Sequence, residues 1–270
     1  MVISAKQDVD AAEAAAQCVV RTHERLVEYL QVGRTLAQID QFVAEVLSSL
    51  DCRSAFLRYR MKNHPPFSSH ACLSLNDCIV HGTHDMSTKP LGAGDILSVD
   101  IGVVHRGWIG DAAWTYAIGE ASDEALQLMA CGRESLQRGI DAVKAGRPLL
   151  DWARALQPFV EQECGFHLIR GLGGHGYGRT LHGPPFISNV TPRHPGEWPD
   201  ARETFKPGML LAVEPMIAVG SGEIISDGRT WPIYTADGSL SVHYEADIMV
   251  TENGARDLTA GMNCLPDIVR

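Results

Sequence analysis

Four carboxylates and one histidine stand where bare charge is hardest to keep. Asp100 lies in ILSVDIGVV, Asp111 in WIGDAAWTY, Glu214 in MLLAVEPMIAV and Glu245 in SVHYEADIMVT, with His175 in GLGGHGYGRT. Each carboxylate interrupts a run that otherwise reads as apolar strand. Burying one ionised carboxyl group is costly, and four converging would also repel one another. Two divalent cations would balance the four charges. The chemistry such a centre performs is metal-assisted hydrolysis. Oxygen ligands with one imidazole suit Mn, Fe(II), Co or Zn, and the absence of closely spaced cysteine pairs argues against a structural zinc finger.

Asp100 and Asp111 flank His105-Arg106-Gly107, which reads as a hairpin turn. A turn centred on His105 and Arg106 would set the two aspartates directly opposite each other, with Cβ atoms roughly 4.5–5.5 Å apart. Period-two alternation then places Ser98, Gly102 and Ala113 on the same face, and Val99, Ile101 and Val103 on the packed one. Six glycines between 171 and 183 disfavour a helix around His175 and His182 and favour a loop or short strand beside a cleft. His81, after Ile79-Val80 and before Gly82, sits at the end of an expected strand. Asp247 lies two residues beyond Glu245, on the same strand face. No HExxH, GxSxG or P-loop pattern offers another route to hydrolysis.

The elements that must carry these residues are legible in outline. Residues 8–31 and 36–50 read as two helices joined at Val32-Gly33-Arg34-Thr35, and 122–144 and 149–164 as a second pair joined at Ala145-Gly146-Arg147-Pro148. Ser122 is placed to cap the third helix, with Asp123 and Glu124 in its first turn. Strand-rich blocks cover 52–118 and 166–252, and 183–208 reads as a Pro-rich loop. Helix pair, strands, helix pair, strands implies two related halves facing each other. No linker composition divides the chain, so a single domain over 1–270 is expected.

Composition narrows the class. Hydrophobic residues make up 45% of the 270 and charged residues 21%, as in a globular protein with a sizeable core. A net charge of −10, without any lysine- or arginine-rich run, argues against nucleic acid as a partner. No apolar stretch approaches a membrane span, and the N-terminus lacks the pattern of a secretory signal. Seven cysteines without CxxC pairs suit a reducing compartment. The expectation is a cytoplasmic protein.

The ordered motifs CLSLNDCIVHG, SVDIG, GDAAWT, GGHGYGRTLH, VEPM and YEADIMVTENG resemble those of the methionine aminopeptidases, and the resemblance covers about residues 8 to 260. It implies an α+β pita-bread fold, with two pseudo-symmetric helix-plus-strand halves around a central antiparallel sheet. The length, and the 30 residues between Glu214 and Glu245, are similar to those of the compact type 1 enzymes. The resemblance further implies two metal ions per chain, bridged by Asp111 and Glu245. Asp100 would complete one ion's ligands and help place the substrate amine; His175 and Glu214 would complete the other's. A bridging hydroxide would attack the first peptide carbonyl, with Glu214 as general base. His182 would steady the oxyanion or scissile amide, and His81 would bind the second residue's backbone. Peptide or nascent-protein N-termini, including those at the ribosome, would be the partners of a monomer.

The side-chain pocket departs from the family's pattern. Phe67, Cys72 and Trp231 match substrate-binding positions, but Leu181 stands where phenylalanine is common. Ser68 replaces a usual proline, Met61 and His64 are unusual in MKNHPPFSSHAC, and Ala246-Asp247 replaces His-Thr. A Leu181 pocket accommodates methionine, whose flexible side chain fills irregular space. The departures keep two alternatives in view: an Xaa-Pro or specialised exopeptidase of the same fold, and a non-catalytic binding protein that has kept the fold.

Overall fold

The computed structural model describes residues 1–62 and 64–270, so Asn63 of the MKNHPPFSSHAC segment lies outside the described residues. Two helix pairs alternate with two strand blocks, as the sequence implies. The first pair is α1 (Lys6–Tyr29) and α2 (Leu36–Ser49); the second is α3 (Asp123–Ala142) and α4 (Leu150–Pro158), which runs on into a wider helical turn at Phe159–Cys164. The capping logic is local. Thr35 and Gln38 form a reciprocal capping box at the start of α2, and Ser122 accepts the Ala125 N–H at the start of α3.

The first strand block centres on a long hairpin, Ile96–His105 with Trp108–Ile118, flanked by Arg53–Ser54 and Cys72–Leu75 on one side and Ile268–Val269 on the other. The second is a five-stranded antiparallel sheet ordered Gly254–Asp257, Ala246–Thr251, Leu210–Val213, Gly173–Gly176, Gly183–Ser188. Small three-stranded sheets join Ser241–His243 to Met216–Ala218 and His167–Leu168, and Cys78–Val80 to Ile233–Thr235. This α+β arrangement of paired halves is the one that the sequence resemblance implies.

Two expectations are corrected. The hairpin turn is Arg106-Gly107, not His105-Arg106: His105 pairs with Trp108, so Asp100 faces Ala113 and Asp111 faces Gly102. Both loop residues have positive φ (50° and 81°), as a two-residue hairpin turn of the primed type requires, and glycine supplies that conformation best at the second position. Pairing therefore shifts by two residues, an even number. The aspartates stay on one face but become diagonal neighbours, roughly 7–8 Å apart at Cα. The second correction concerns the Pro-rich stretch 183–208, which begins with the strand Gly183–Ser188. That strand lies at the edge of its sheet, where prolines without an N–H are tolerated.

Helix α1 lies across the outer hairpin strand through an alanine-rich face, with Ala12, Ala15 and Ala16 all fully buried. Gly110 makes this approach possible: a Cβ there would sit 2.5 Å from the Ala15 carbonyl oxygen. Gly110→Ala should therefore destabilise the protein by about 1–3 kcal/mol through overpacking. Urea unfolding checks this: the midpoint should fall with an unchanged slope, and an unmoved midpoint would mean that α1 does not press on the hairpin.

Candidate metal centre

The strand blocks meet along a seam, and the carboxylates line it. The Glu245 N–H donates to the Ala113 carbonyl (2.9 Å), tying the loop before Ala246–Thr251 to the hairpin. Asp247 Oδ2 accepts the Asp111 N–H (2.8 Å) from across the same seam. Thr115 donates its hydroxyl to the His243 carbonyl (2.8 Å). Glu214 is held from behind: α4 Trp152 donates its indole N–H to Asn189 Oδ1 (3.0 Å), and Asn189 donates to the Glu214 carbonyl (2.9 Å).

The side chains converge. One ligand atom each from Asp111, His175 and Glu245 lies within 4.8 Å of the other two. His175 Nε2 is 3.8 Å from Asp111 Oδ2 and 4.0 Å from Glu214 Oε1. Asp100 projects into the same cleft from the hairpin, opposite Cys72. All five residues anticipated as ligands line one cavity of about 490 Å³.

A cation fits this set on the structure's own terms. Asp111 and Glu245 are buried (3% and 2% exposed) without a basic side chain in salt-bridge geometry other than neighbouring histidines. Burial first, and the charges of neighbouring carboxylates second, push both groups well above the usual carboxylate range. Burial raises Asp100 to about 7. Asp100 Oδ1, Asp111 Oδ1 and His243 Nε2 are buried and have no hydrogen-bond partner among the described residues. Groups with unused lone pairs, lining one cleft, form a set that divalent cations would satisfy.

His243 was missed by sequence reasoning. Its buried Nε2 lies 3.2 Å from Glu214 Oε2 and 4.0 Å from Glu245 Oε2, although the angles do not make a hydrogen bond. The signal was available in period two: residues 243, 245 and 247 alternate onto one face of SVHYEAD. Tyr59 was missed as well. Its hydroxyl shares a 2.8 Å hydrogen bond with His182 Nδ1, leaving Nε2 of that exposed ring free.

The remaining anticipated residues form the cavity's other walls. The His182 ring centroid is 4.4 Å from that of His175. His81 follows Cys78–Val80 in a left-handed backbone conformation (φ 59°), and burial lowers its pKa to about 4, so it is neutral at pH 7. Phe67 stands edge-on to Trp231 at 5.3 Å, and Trp231 is fixed by its indole N–H to the Pro65 carbonyl (2.9 Å). Leu181 and Met61 add apolar lining to the cleft, and Cys72 lines it beside Asp100. His64 lies against Trp231 at 5.1 Å with its ring tilted, and Ser68 is exposed and hydrogen-bonded to Asp85; neither belongs to the cavity lining.

Fold and site together define a metal-dependent hydrolase. Comparison with known proteins narrows the class. A model of metallopeptidase family M24 matches residues 10–252. Methionine aminopeptidase 1 of Bacillus subtilis is 34% identical over 245 residues, which cover 91% of this chain and 93% of the relative. The crystal structure of methionine aminopeptidase from Thermotoga maritima is similar with a TM-score of 0.85 and 34% identity, covering 96% of this chain and 99% of its own. That from Rickettsia prowazekii gives 0.87 and 29%, over 96% and 100%. The chain belongs to metallopeptidase family M24, among its methionine aminopeptidases.

Proposed function

We propose that the chain removes N-terminal methionine from peptides and nascent proteins, including those at the ribosome. It does so as a monomeric cytoplasmic enzyme whose single catalytic domain spans 1–270, with neither membrane nor nucleic acid as partner. The observation that supports this best is one cleft lined both by the Asp100, Asp111, His175, Glu214 and Glu245 side chains and by the apolar Phe67, Leu181 and Trp231. Among the described residues no helix is long and apolar enough to cross a membrane.

Asp100, Asp111, His175, Glu214 and Glu245 would together hold two divalent cations, drawn from Co, Mn, Fe(II) or Zn. When bound, these ions supply Lewis acidity that polarises the first peptide carbonyl and acidifies a water. Glu214 accepts the water's proton and passes it to the leaving amine. Asp100 helps place the substrate's free α-amine, which limits cleavage to the first residue. His182, its Nδ1 engaged by Tyr59, presents Nε2 to the scissile amide. His81, neutral, hydrogen-bonds the backbone of the second residue. Phe67, Cys72, Leu181 and Trp231 receive the methionine side chain, whose unbranched thioether adapts to an irregular apolar wall.

Two measurements test this reading. A chelator should abolish peptidase activity and added divalent metal restore it; activity that survives in verified metal-free protein would exclude the centre. On a panel of Met-Ala, Met-Gly, Leu-Gly, Ala-Pro and N-acetylated peptides, Met-Ala and Met-Gly should be cleaved and the acetylated peptide spared. Preference for Ala-Pro would reassign the enzyme to Xaa-Pro substrates.

A further inference from the structure

Helix α1, the turn after α2 and the outer end of the hairpin meet away from the cleft, and each brings one soft or borderline donor. Arg53 pairs with Val104, so the antiparallel register carries Cys52 opposite His105 at the strand's last position. Their Sγ and Nδ1 atoms are 3.4 Å apart. Cys18 lies three residues beyond Ala15, on the stretch of α1 that Gly110 allows close to the hairpin. One ligand atom of each residue lies within 4.8 Å of the other two. Cys18 is buried, while Cys52 and His105 are half-buried, so one side of the triad faces solvent.

We propose that Cys18, Cys52 and His105 form a second metal site, taking a thiophilic divalent cation such as zinc in a Cys2His set with solvent at the fourth position. Two thiolates and an imidazole are the ligands zinc prefers, and three of them leave one tetrahedral position open. The spacing agrees: a sulfur at ~2.3 Å and a nitrogen at ~2.0 Å from zinc, at the tetrahedral angle, are about 3.5 Å apart, close to the separation of Cys52 and His105.

The protonation chemistry also suits a cation. The neighbouring Cys52 sulfur, then the charges of His105, Arg21 and Arg106, hold the Cys18 thiol low, at about 6. The Cys18 sulfur, with burial, raises Cys52. Zinc binding displaces the thiol protons and leaves two thiolates balancing a doubly charged ion, at the cost of the weak Cys52 Sγ contact with the Leu50 carbonyl (3.4 Å). His105 is five residues along the strand from Asp100, roughly 16 Å at the rise of an extended chain. The site is therefore separate from the carboxylate centre, and it pins together the three elements that hold the hairpin's outer end.

Cobalt(II) titration of the reduced, metal-free full chain tests the proposal, because thiolate-to-cobalt charge transfer in the near ultraviolet is a signal that oxygen and imidazole ligands do not give. Wild type should show that band, bleached by zinc. Cys52→Ser should abolish it, His105→Ala should weaken cobalt affinity at least tenfold, and Cys131→Ser should leave it intact. Cys18→Ser should also abolish it; because Cys18 is buried, that variant is counted only if its circular dichroism matches wild type, and the half-buried Cys52 and His105 variants decide otherwise. The metal-saturated Cys52→Ser protein should keep its peptidase turnover. Absence of the band in folded, reduced wild type, or an undiminished band in Cys52→Ser, would overturn the site. So would a Cys18–Cys52 disulfide formed in protein purified under reducing conditions, with no cobalt uptake.

Discussion

Replacing Glu214 by glutamine is expected to lower kcat by about 10²–10⁴-fold at saturating metal, the range associated with loss of a positioned general base. The amide keeps the side chain's size and its place in the cleft, but it cannot accept a proton. Glu214 lies between the imidazoles of His175 and His243, at 4.0 and 3.2 Å, so neutralising it also removes one charge from the proposed ligand set. Metal affinity should fall too, and the kinetics must be read at measured full occupancy. Under that condition kcat and kcat/KM should fall together, because the lost interaction belongs to the transition state. Wild-type turnover in fully loaded Glu214→Gln would remove Glu214 from the role of base, while leaving the metal centre itself in place.

The second large effect concerns stability and pH. In metal-free protein, burial and mutual repulsion raise Asp111 and Glu245 well above the carboxylate range, burial raises Asp247 likewise, and Asp100 rises to about 7. In the unfolded chain these groups titrate near ~4. A raised folded pKa means that the native state holds protons the unfolded state has lost. Its stabilising contribution is complete below the unfolded pKa and disappears as pH rises through the folded one. Each such proton costs about 1.4 kcal/mol of stability per pH unit. The buried His23 and His81, lowered to about 3 and about 4, act in the opposite sense, but only below the ordinary histidine range. The Cys18 thiol, lowered to about 6, also opposes the trend above that pH. These groups are common to stripped and loaded protein and cancel in the difference between them.

Manganese loading isolates the carboxylates, since that ion favours oxygen over thiolate ligands. The Tm gap between manganese-loaded and chelator-stripped protein should widen steadily from pH 6.5 to pH 8.5, because metal replaces protons the cleft would otherwise retain. A gap that stays constant over that range would show that Asp100, Asp111 and Glu245 are not protonated in the stripped protein.

How much of this is legible in the sequence varies residue by residue, for physical reasons. Asp100, Asp111, Glu214 and Glu245 stand out because an ionised group inside an apolar strand pattern demands a counter-charge whatever the fold. The helix boundaries near Thr35 and Ser122 are readable because capping is local, confined to a few consecutive residues. The hairpin register is not, since it turns on which residues of His105-Arg106-Gly107 take the left-handed positions. Gly183–Ser188 reads as loop because its prolines speak against strand, and only its place at a sheet edge reconciles them. Tyr59 is placed by its hydrogen bond with His182 on another element, whereas His243 was legible in the alternation of 243, 245 and 247. Cys18, Cys52 and His105 are less visible still: the last two are 53 residues apart in the chain, and no spacing rule spans such a distance.

The seam between the strand blocks has a consequence for how this enzyme would assemble. The hairpin carries Asp100 and Asp111, and the opposing block carries His175 in Gly173–Gly176, Glu214 just after Leu210–Val213 and Glu245 just before Ala246–Thr251. On the proposed ligand set, a ribosome-bound fragment ending before residue 170 would lack three of the five donors and hold its cations poorly. Metal capture would then coincide with closure of the two halves rather than precede it. The amide of Glu245, which bridges to Ala113, would gain protection against deuterium exchange in step with metal uptake, making one backbone proton a clock for the birth of the active enzyme.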